Sequence, residues 1–376
     1  CTRCVRFCHE ISKTDELGLF ERGDEAQIGT FPGKVLDNPY AGNTVDICPV
    51  GALTSKDFRF KVRVWFLQES KSICPGCARG CNINVHQYNG RVYRLKPRRN
   101  DEVNESWICD AGRFGYTTIN ENRMVQPQLR QPDGTLQQAS WQEAIGHTVG
   151  ALRRHEGAAR GILVAPQGTN EDQYLLAKLS TEALAGAQVL LWPGTPGDED
   201  ELLIRADKNP NTRGAQDVGL PAPATAAALA ALTQAIDQGV IKVLYAIGVD
   251  LAAAFGAETL ARLTDRLDCL LVQTANAWPG YEQAHVLLPS ATYVERDGTF
   301  TNFQGRIQRL NPAFPPRGEA LPAWQIYTRL ARGLGRPWSY GSAEAVLTDI
   351  AATIPGYTGL SYAKIGDQGC LVSHES

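Results

Sequence analysis

Cysteine placement constrains this chain more than any other feature. Of ten cysteines in 376 residues, eight fall at positions 1, 4, 8, 48, 74, 77, 81 and 109, and only Cys269 and Cys370 lie beyond. A disulfide framework suits small secreted domains. Clustered C-x2-C spacing in a large chain points instead to metal or Fe–S ligation in a reducing compartment. The first third should therefore fold around inorganic centres, and the rest around an ordinary apolar core. Hydrophobic residues make up 43% and charged residues 20%, a globular balance. The net charge of −3 leaves no strong field for nucleic acid or a membrane surface. The Ala-rich stretches are interrupted by Asp237, Lys242 and Asp250, so none reaches the ~18 apolar residues of a membrane-spanning helix. The chain does not begin with Met, and residue 1 already lies inside a cysteine motif. It reads as a piece that continues upstream.

The strongest motif is Cys74-Pro75-Gly76-Cys77-Ala78-Arg79-Gly80-Cys81, followed by Cys109. Four thiolates in the order C-x2-C-x3-C…C suit a four-iron cluster, one thiolate per iron. Gly76 and Gly80 let the backbone bend and aim amide N–H groups at the cluster sulfurs, which raises the reduction potential. A structural zinc ribbon also takes four cysteines, but it favours paired C-x2-C knuckles over three close cysteines and one remote.

The second motif is Cys1-Thr2-Arg3-Cys4-Val5-Arg6-Phe7-Cys8 with Cys48-Pro49. Ferredoxin-type runs read C-x2-C-x2-C-x3-C-P, and the fourth cysteine of each run ligates the other cluster. Gly42–Ile47 holds no second triplet, so Cys48 should serve the first cluster. On spacing alone Cys8 stays ambiguous: Cys1, Cys4, Cys8 and Cys48 also form a self-sufficient set, and a buried inert thiol is the plain alternative for Cys8.

Val62, Val64 and Phe66 alternate as in a strand. Asn89-Gly90 between Ile83–Val85 and Val92–Leu95 predicts a hairpin with a primed turn. Further on, strand and helix signals alternate. Ser140 with Glu143 is a capping box for a helix over 140–154, and Thr169 with Asp172 caps the next. Strands are expected at 161–165, 189–192, 241–247, 269–274 and 286–288, with helices at 223–238 and 254–267. Strands separated by helix-length segments imply a mostly parallel sheet with helices on both faces.

These residues carry a resemblance. Cys1–Cys8, Glu16-Leu17-Gly18, Arg22-Gly23, Gln27-Ile28-Gly29-Thr30, Ala41-Gly42-Asn43 and Asp46 through Lys56 (DICPVGALTSK) resemble the family of large iron–sulfur subunits of NADH-quinone oxidoreductase, respiratory complex I. The resemblance implies a ferredoxin-like cluster held by Cys1, Cys4, Cys48 and a cysteine upstream, with Cys8 not a ligand. It places the family's histidine ligand upstream too, so His9 is read as structural. Ser72–Cys74 through Cys109-Asp110-Ala111-Gly112-Arg113-Phe114-Gly115-Tyr116 resembles the Fe4S4 domain of the molybdopterin oxidoreductase superfamily. Thr169–Asp172, Leu203–Asp207 with Asn209-Pro210, and Leu287–Asn302 with Gln304–Gln308 look like later segments of that superfamily.

The implied architecture is α/β: an irregular cluster-binding N-terminal region, then a degenerate molybdopterin-oxidoreductase-type parallel domain. Its expected divisions are the end of a ferredoxin-like domain (1–60), a 4Fe-4S domain (61–118) and a shortened α/β domain (119–376). Two 4Fe-4S clusters are implied here, with further 2Fe-2S and 4Fe-4S clusters upstream. A molybdenum enzyme of the superfamily carries a Cys, selenocysteine or Ser ligand soon after the first strand and helix. Leu179 through Gly186 holds no cysteine, and Cys269 comes far too late, so no molybdenum is expected. The implied role is an electron relay from NADH and FMN toward quinone, with no substrate site in this chain. The implied partners are other peripheral-arm subunits, including the FMN/NADH-binding one, at the cytoplasmic face of a bacterial inner membrane. The rivals are a subunit of an NAD-linked formate dehydrogenase and a zinc-stabilised scaffold. Arg91, Arg94, Lys96, Arg98 and Arg99 read first as a solvated or subunit-facing strand edge, and next as an offset to cluster charge. Phe58, Phe60, Trp65 and that basic run should be over-exposed in the lone chain.

Overall fold

The first 66 residues hold little regular structure in the computed structural model, which describes residues 1–373. Helix α1 (Arg3–Arg6) widens into a π turn at Phe7–Ile11. A short antiparallel hairpin, β1 (Leu17–Phe20) and β2 (Gln27–Thr30), follows, and then helix α2 (Asn43–Ile47), which ends at Cys48. The strand read at 62–66 does not form. Val64–Phe66 is a 3-10 turn whose three apolar side chains are exposed, with no neighbouring strand to pair. Phe60 (92% exposed) and Trp65 (75%) are uncovered as expected, but Phe58 is half-buried beneath Arg94, 4.2 Å from its ring.

Regular structure begins at β3 (Gln68–Ile73), which pairs antiparallel with β4 (Asn82–Tyr88), which in turn pairs with β5 (Arg91–Pro97). Asn89 (φ 51°) and Gly90 (φ 71°) both take the left-handed conformation that the predicted primed turn requires. Two short helices, α3 (Asp110–Phe114) and α4 (Thr117–Asn120), close this unit.

A seven-stranded sheet organises the next region. Its strands are β6 (Gln128–Arg130), β7 (Leu136–Gln138), β8 (Arg160–Val164), β9 (Gln188–Leu191), β10 (Val243–Ile247), β11 (Cys269–Thr274) and β12 (Val286–Pro289). Their spatial order is β7-β6-β12-β11-β10-β8-β9. The five from β8 to β12 run parallel, and β6 and β7 add an antiparallel edge. The central strands are buried on both faces, as a parallel sheet covered by helices requires. On one face lie α5 (Trp141–Arg154) and α6 (Asn170–Glu182), each with its predicted capping box. The short α7 (Thr212–Asp217) packs on α6. On the other face lie α8 (Ala226–Asp237), α9 (Leu251–Phe255) and α10 (Ala257–Arg266). The helix predicted over 254–267 is thus two helices. Gly256, at φ 82°, breaks the ladder between them.

A further sheet is not evident from the sequence pattern. Strands β13 (Gly298–Thr301), β14 (Arg306–Leu310) and β15 (Cys370–Leu371) are antiparallel, in that order. Helices α11 (Ala323–Gly333), α12 (Ala343–Thr353) and α13 (Tyr362–Ile365) connect β14 to β15. This sheet rests on the cysteine-bearing unit: β14 contacts β3, and Phe300 and Leu310 share a small apolar cluster with Ile73.

Candidate iron–sulfur sites

At the end of β3 the chain leaves the sheet at Cys74 and returns at Cys81 into β4. The Cys74 N–H donates to the Cys81 carbonyl at 2.8 Å, closing the loop on itself. Cys109 caps α3, and its sulfur accepts from the Gly112 N–H at 3.4 Å. A Cβ built on Gly112 would lie 2.9 Å from Cys74 Sγ and 3.5 Å from Cys109 Sγ, so one small glycine stands between the two sulfurs. Cys74 and Cys81 are buried; Cys77 and Cys109 are half-buried.

Burial, and then the neighbouring thiols Cys109 and Cys77, push the Cys74 thiol far above its ordinary range. Cys81 is raised by burial and then by Cys74, Cys77 and Cys109. Cys109 is raised by burial and by Cys77, against the Gly112 N–H. Every pair among the four is therefore close enough to feel the other's charge. Ionising all four in a dry site is prohibitive unless positive charge arrives with the ligand. The irons of a cubane supply it, and the residues present fit such a group: four thiols, local N–H donors, and glycine where a side chain would collide. Among the described residues, no three Cys, His, Asp or Glu side chains close to the spacing of a single ion's ligands. A cubane, with one thiolate on each of four irons, asks for a wider ring.

The N-terminal cysteines are arranged differently. Cys1 is exposed, Cys4 is buried in α1, and Cys8 is fully buried in the π turn. The Cys8 thiol is pushed up to about 11, first by burial and then by Glu16 and Cys4, with Ser12 and the Leu17 backbone hydrogen-bonding it. Cys48 shows the opposite chemistry. The backbone at Leu53 and Val50, and then Ala52 and Gly51, bonds its sulfur and lowers its pKa. The turn after Cys48 is thus a small nest of donors that favours a thiolate. Helices α1 and α2 pack together, which makes the elements carrying Cys4 and Cys48 neighbours.

Several contacts that sequence reasoning missed join the two cysteine regions. Phe7, between Cys4 and Cys8, lies 5.0 Å from the ring of Trp107, two residues before Cys109. Asn43 donates to the Ile108 carbonyl at 2.8 Å and accepts from the Ile108 N–H at 3.2 Å. Arg113 bonds Asn43 at 3.0 Å and pairs with Asp46 at 2.7 Å. The basic run is tied to local partners. Lys96 pairs with Asp46 at 3.3 Å, Arg98 donates to the Asp367 carbonyl at 2.7 Å, and Arg99 pairs with Asp101 at 2.8 Å. His9 bonds Asp15 at 2.8 Å on the surface.

Val164, Ile247 and Thr274, the last residues of β8, β10 and β11, open on a cavity of about 460 Å³ whose far wall includes Pro75 and Ile119. From β8 the chain crosses first to one side and then to the other, so this is the sheet's switch point. Cys269 begins β11, at the opposite end of the strand, and burial raises its thiol to about 12.

The chain matches three family models. Residues 1–54 match the NADH-quinone oxidoreductase subunit 3, ferredoxin-like domain; residues 67–121 the molybdopterin oxidoreductase Fe4S4 domain; and residues 203–333 molybdopterin oxidoreductase. An NADH dehydrogenase [ubiquinone] iron-sulfur protein 1 of Solanum tuberosum is 43% identical over 145 residues, 39% of this chain and 20% of that one. The G subunit of the NADH-quinone oxidoreductase of Streptomyces coelicolor is 38% identical over 185 residues, 49% and 22% of the two chains. The NADH-ubiquinone oxidoreductase 75 kDa subunit of Reclinomonas americana is 34% identical over 214 residues, 55% and 31%. The chain thus spans between 20% and 31% of the length of these relatives. Acetylene hydratase from Pelobacter acetylenicus shares the fold at TM-score 0.53 and 9% identity, over 81% of this chain and 74% of that one. The chain is therefore a homologue of the G and 75 kDa iron–sulfur subunits of NADH-quinone and NADH-ubiquinone oxidoreductases, built in part on a molybdopterin-oxidoreductase frame.

Proposed function

We propose that this chain is an electron-carrying part of an NADH:quinone oxidoreductase, relaying electrons from NADH and FMN toward quinone and performing no substrate chemistry itself. The observation that carries the reading is the mutual approach of Cys74, Cys77, Cys81 and Cys109 in a loop that ends in helix α3. Those four residues hold one 4Fe-4S cluster. Cys1, Cys4 and Cys48, with a fourth ligand upstream, hold another, and Cys8 is a buried structural thiol. A cluster supplies one-electron storage; the protein excludes water, fixes the thiolates and aims N–H dipoles at sulfur. In this reading residues 1–60, 61–118 and 119–376 are the three units, further clusters lie upstream, and molybdenum plays no part.

The partners are other peripheral subunits, including the flavin-bearing NADH-binding one, at the cytoplasmic face of a bacterial membrane. No helix among the described residues is long and apolar enough to cross a membrane. Reduced protein purified without oxygen should show two four-iron paramagnetic signals, and Cys77→Ala should remove one while leaving the other. A zinc-to-iron ratio above one would favour the scaffold alternative. Stoichiometric molybdenum would favour the formate dehydrogenase alternative. NADH oxidation by the chain alone would overturn the relay reading.

A further inference from the structure

We propose that Gln308 is a positioning residue for the Cys74–Cys77–Cys81–Cys109 site. With its neighbours on the β13–β14 turn it holds the outer carbonyls of the cysteine loop, and so turns the loop's amide N–H groups toward the cluster sulfurs. This rests on the reading that those four thiolates hold an Fe–S cluster.

Gln308 lies on β14 between buried apolar residues and is only 1% exposed. A buried amide in a strand needs partners. Its Nε2 donates to the Gly80 carbonyl at 3.0 Å and to Asn82 Oδ1 at 2.9 Å, one residue on either side of Cys81. A Cβ on Gly80 would come within 2.6 Å of Gln308 Oε1, and Gly80 sits at φ +65°. Glycine is therefore the residue that admits this approach. The same turn takes the two preceding carbonyls. Asn302 Nδ2 donates to Arg79 O at 3.2 Å, and the Phe303 N–H donates to Ala78 O at 3.0 Å. The turn is itself braced. Asn302 Oδ1 accepts from the N–H groups of Gln304 (3.0 Å) and Arg306 (2.9 Å).

Three successive carbonyls, of Ala78, Arg79 and Gly80, thus point outward to residues far along the chain. In a trans peptide the following N–H points the opposite way. The Gly80 N–H returns to the Cys77 carbonyl at 3.3 Å. The N–H groups of Arg79 and Cys81 have no protein acceptor among the described residues, and they face inward, where cluster sulfurs would take them. A carbonyl that accepts a hydrogen bond also polarises its own N–H, and N–H···S bonds raise a cluster's potential.

The test compares wild-type chain with Gln308→Met, which keeps the side-chain volume and removes both donors. The readouts are redox titration followed by paramagnetic resonance, and the coupling of the reduced cluster to exchangeable protons in heavy water. The expected result is a lower midpoint potential and weaker exchangeable-proton coupling for the Cys74 cluster, with the N-terminal cluster unmoved. If Gln308→Met loses the cluster, Asn302→Ser decides. It keeps an oxygen for the turn but cannot reach Arg79, and it should shift the potential in the same direction by less. An unmoved potential in whichever variant retains the cluster, or an equal shift in both clusters, would overturn the proposal. Absence of a four-iron signal from the wild-type chain would instead defeat the functional reading beneath it.

Discussion

The two cysteine regions are completed in different ways. Around Cys74, Cys77, Cys81 and Cys109 the chain supplies its own enclosure: β14 and the 302–308 turn grip the loop, and Ile73, Phe300 and Leu310 fill the space beneath it. Around Cys4, Cys8 and Cys48 much apolar surface stays uncovered. Leu19, Ile28, Phe31, Val35, Val50, Phe60, Val64, Trp65 and Phe66 are all exposed there. Across residues 119–373 the exposed large apolar side chains are Val125, Val240 and Leu371 alone, among the described residues. Contiguous apolar surface of this kind marks a face meant for a partner. The contrast supports reading the first region as the docking end of the chain and the α/β region as an outer buttress.

The comparison is most sharply broken at Phe300. Truncation to Ala leaves a void under the second cysteine loop and should cost about 3–5 kcal/mol by denaturant titration. Iron should be lost from the Cys74 set in preference to the N-terminal set; equal loss from both would deny the second region its separate enclosure.

Glu171 gives the next largest effect, as a pH dependence. Its carboxyl is fully buried and pushed up to about 7, first by burial and then, against the N–H bonds it accepts, by Asp172. The Thr299 N–H bonds it at 2.9 Å. The unfolded chain releases this proton near the usual 4.5. Between pH 4.5 and 7 the native state therefore holds more protons than the unfolded one, and stability falls as pH rises through that window. The loss is on the order of 3 kcal/mol. Urea midpoints at pH 5 and pH 8 should differ more for the wild type than for Glu171→Gln. Equal differences would remove the carboxyl from the account.

Arg113→Met tests the tie between the regions. It removes the bonds to Asn43 and Asp46 and should cost roughly 1.5–3 kcal/mol, because Lys96 still faces Asp46. Amide exchange near Cys48 and near Cys109 should rise together; a rise on one side only would show that the regions are independent. Trp65→Ser should change stability by no more than about 0.5 kcal/mol. Its effect belongs in binding to the flavin-bearing partner, and unchanged binding would remove Trp65 from the docking face.

Local chemistry was legible in the sequence wherever a few neighbouring residues settle it. Ser140 with Glu143 and Thr169 with Asp172 satisfy helix N–H groups three residues away, so both caps appear where expected. Asn89-Gly90 sets its turn by its own φ angles. The buried runs at 160–164, 243–247 and 269–274 read as strands because a covered parallel sheet needs apolar residues at every position. Alternation at 62–66 misled because the same pattern serves an exposed turn when no neighbouring strand offers hydrogen bonds. The spacing of Cys74, Cys77, Cys81 and Cys109 identified the second site, and tertiary structure decided what encloses it. Gln308 meets Gly80 across 228 positions and Asn43 meets Ile108 across 65. Neither contact leaves a periodic trace, because a hydrogen bond between distant segments depends on where the topology delivers them and not on the residues beside them.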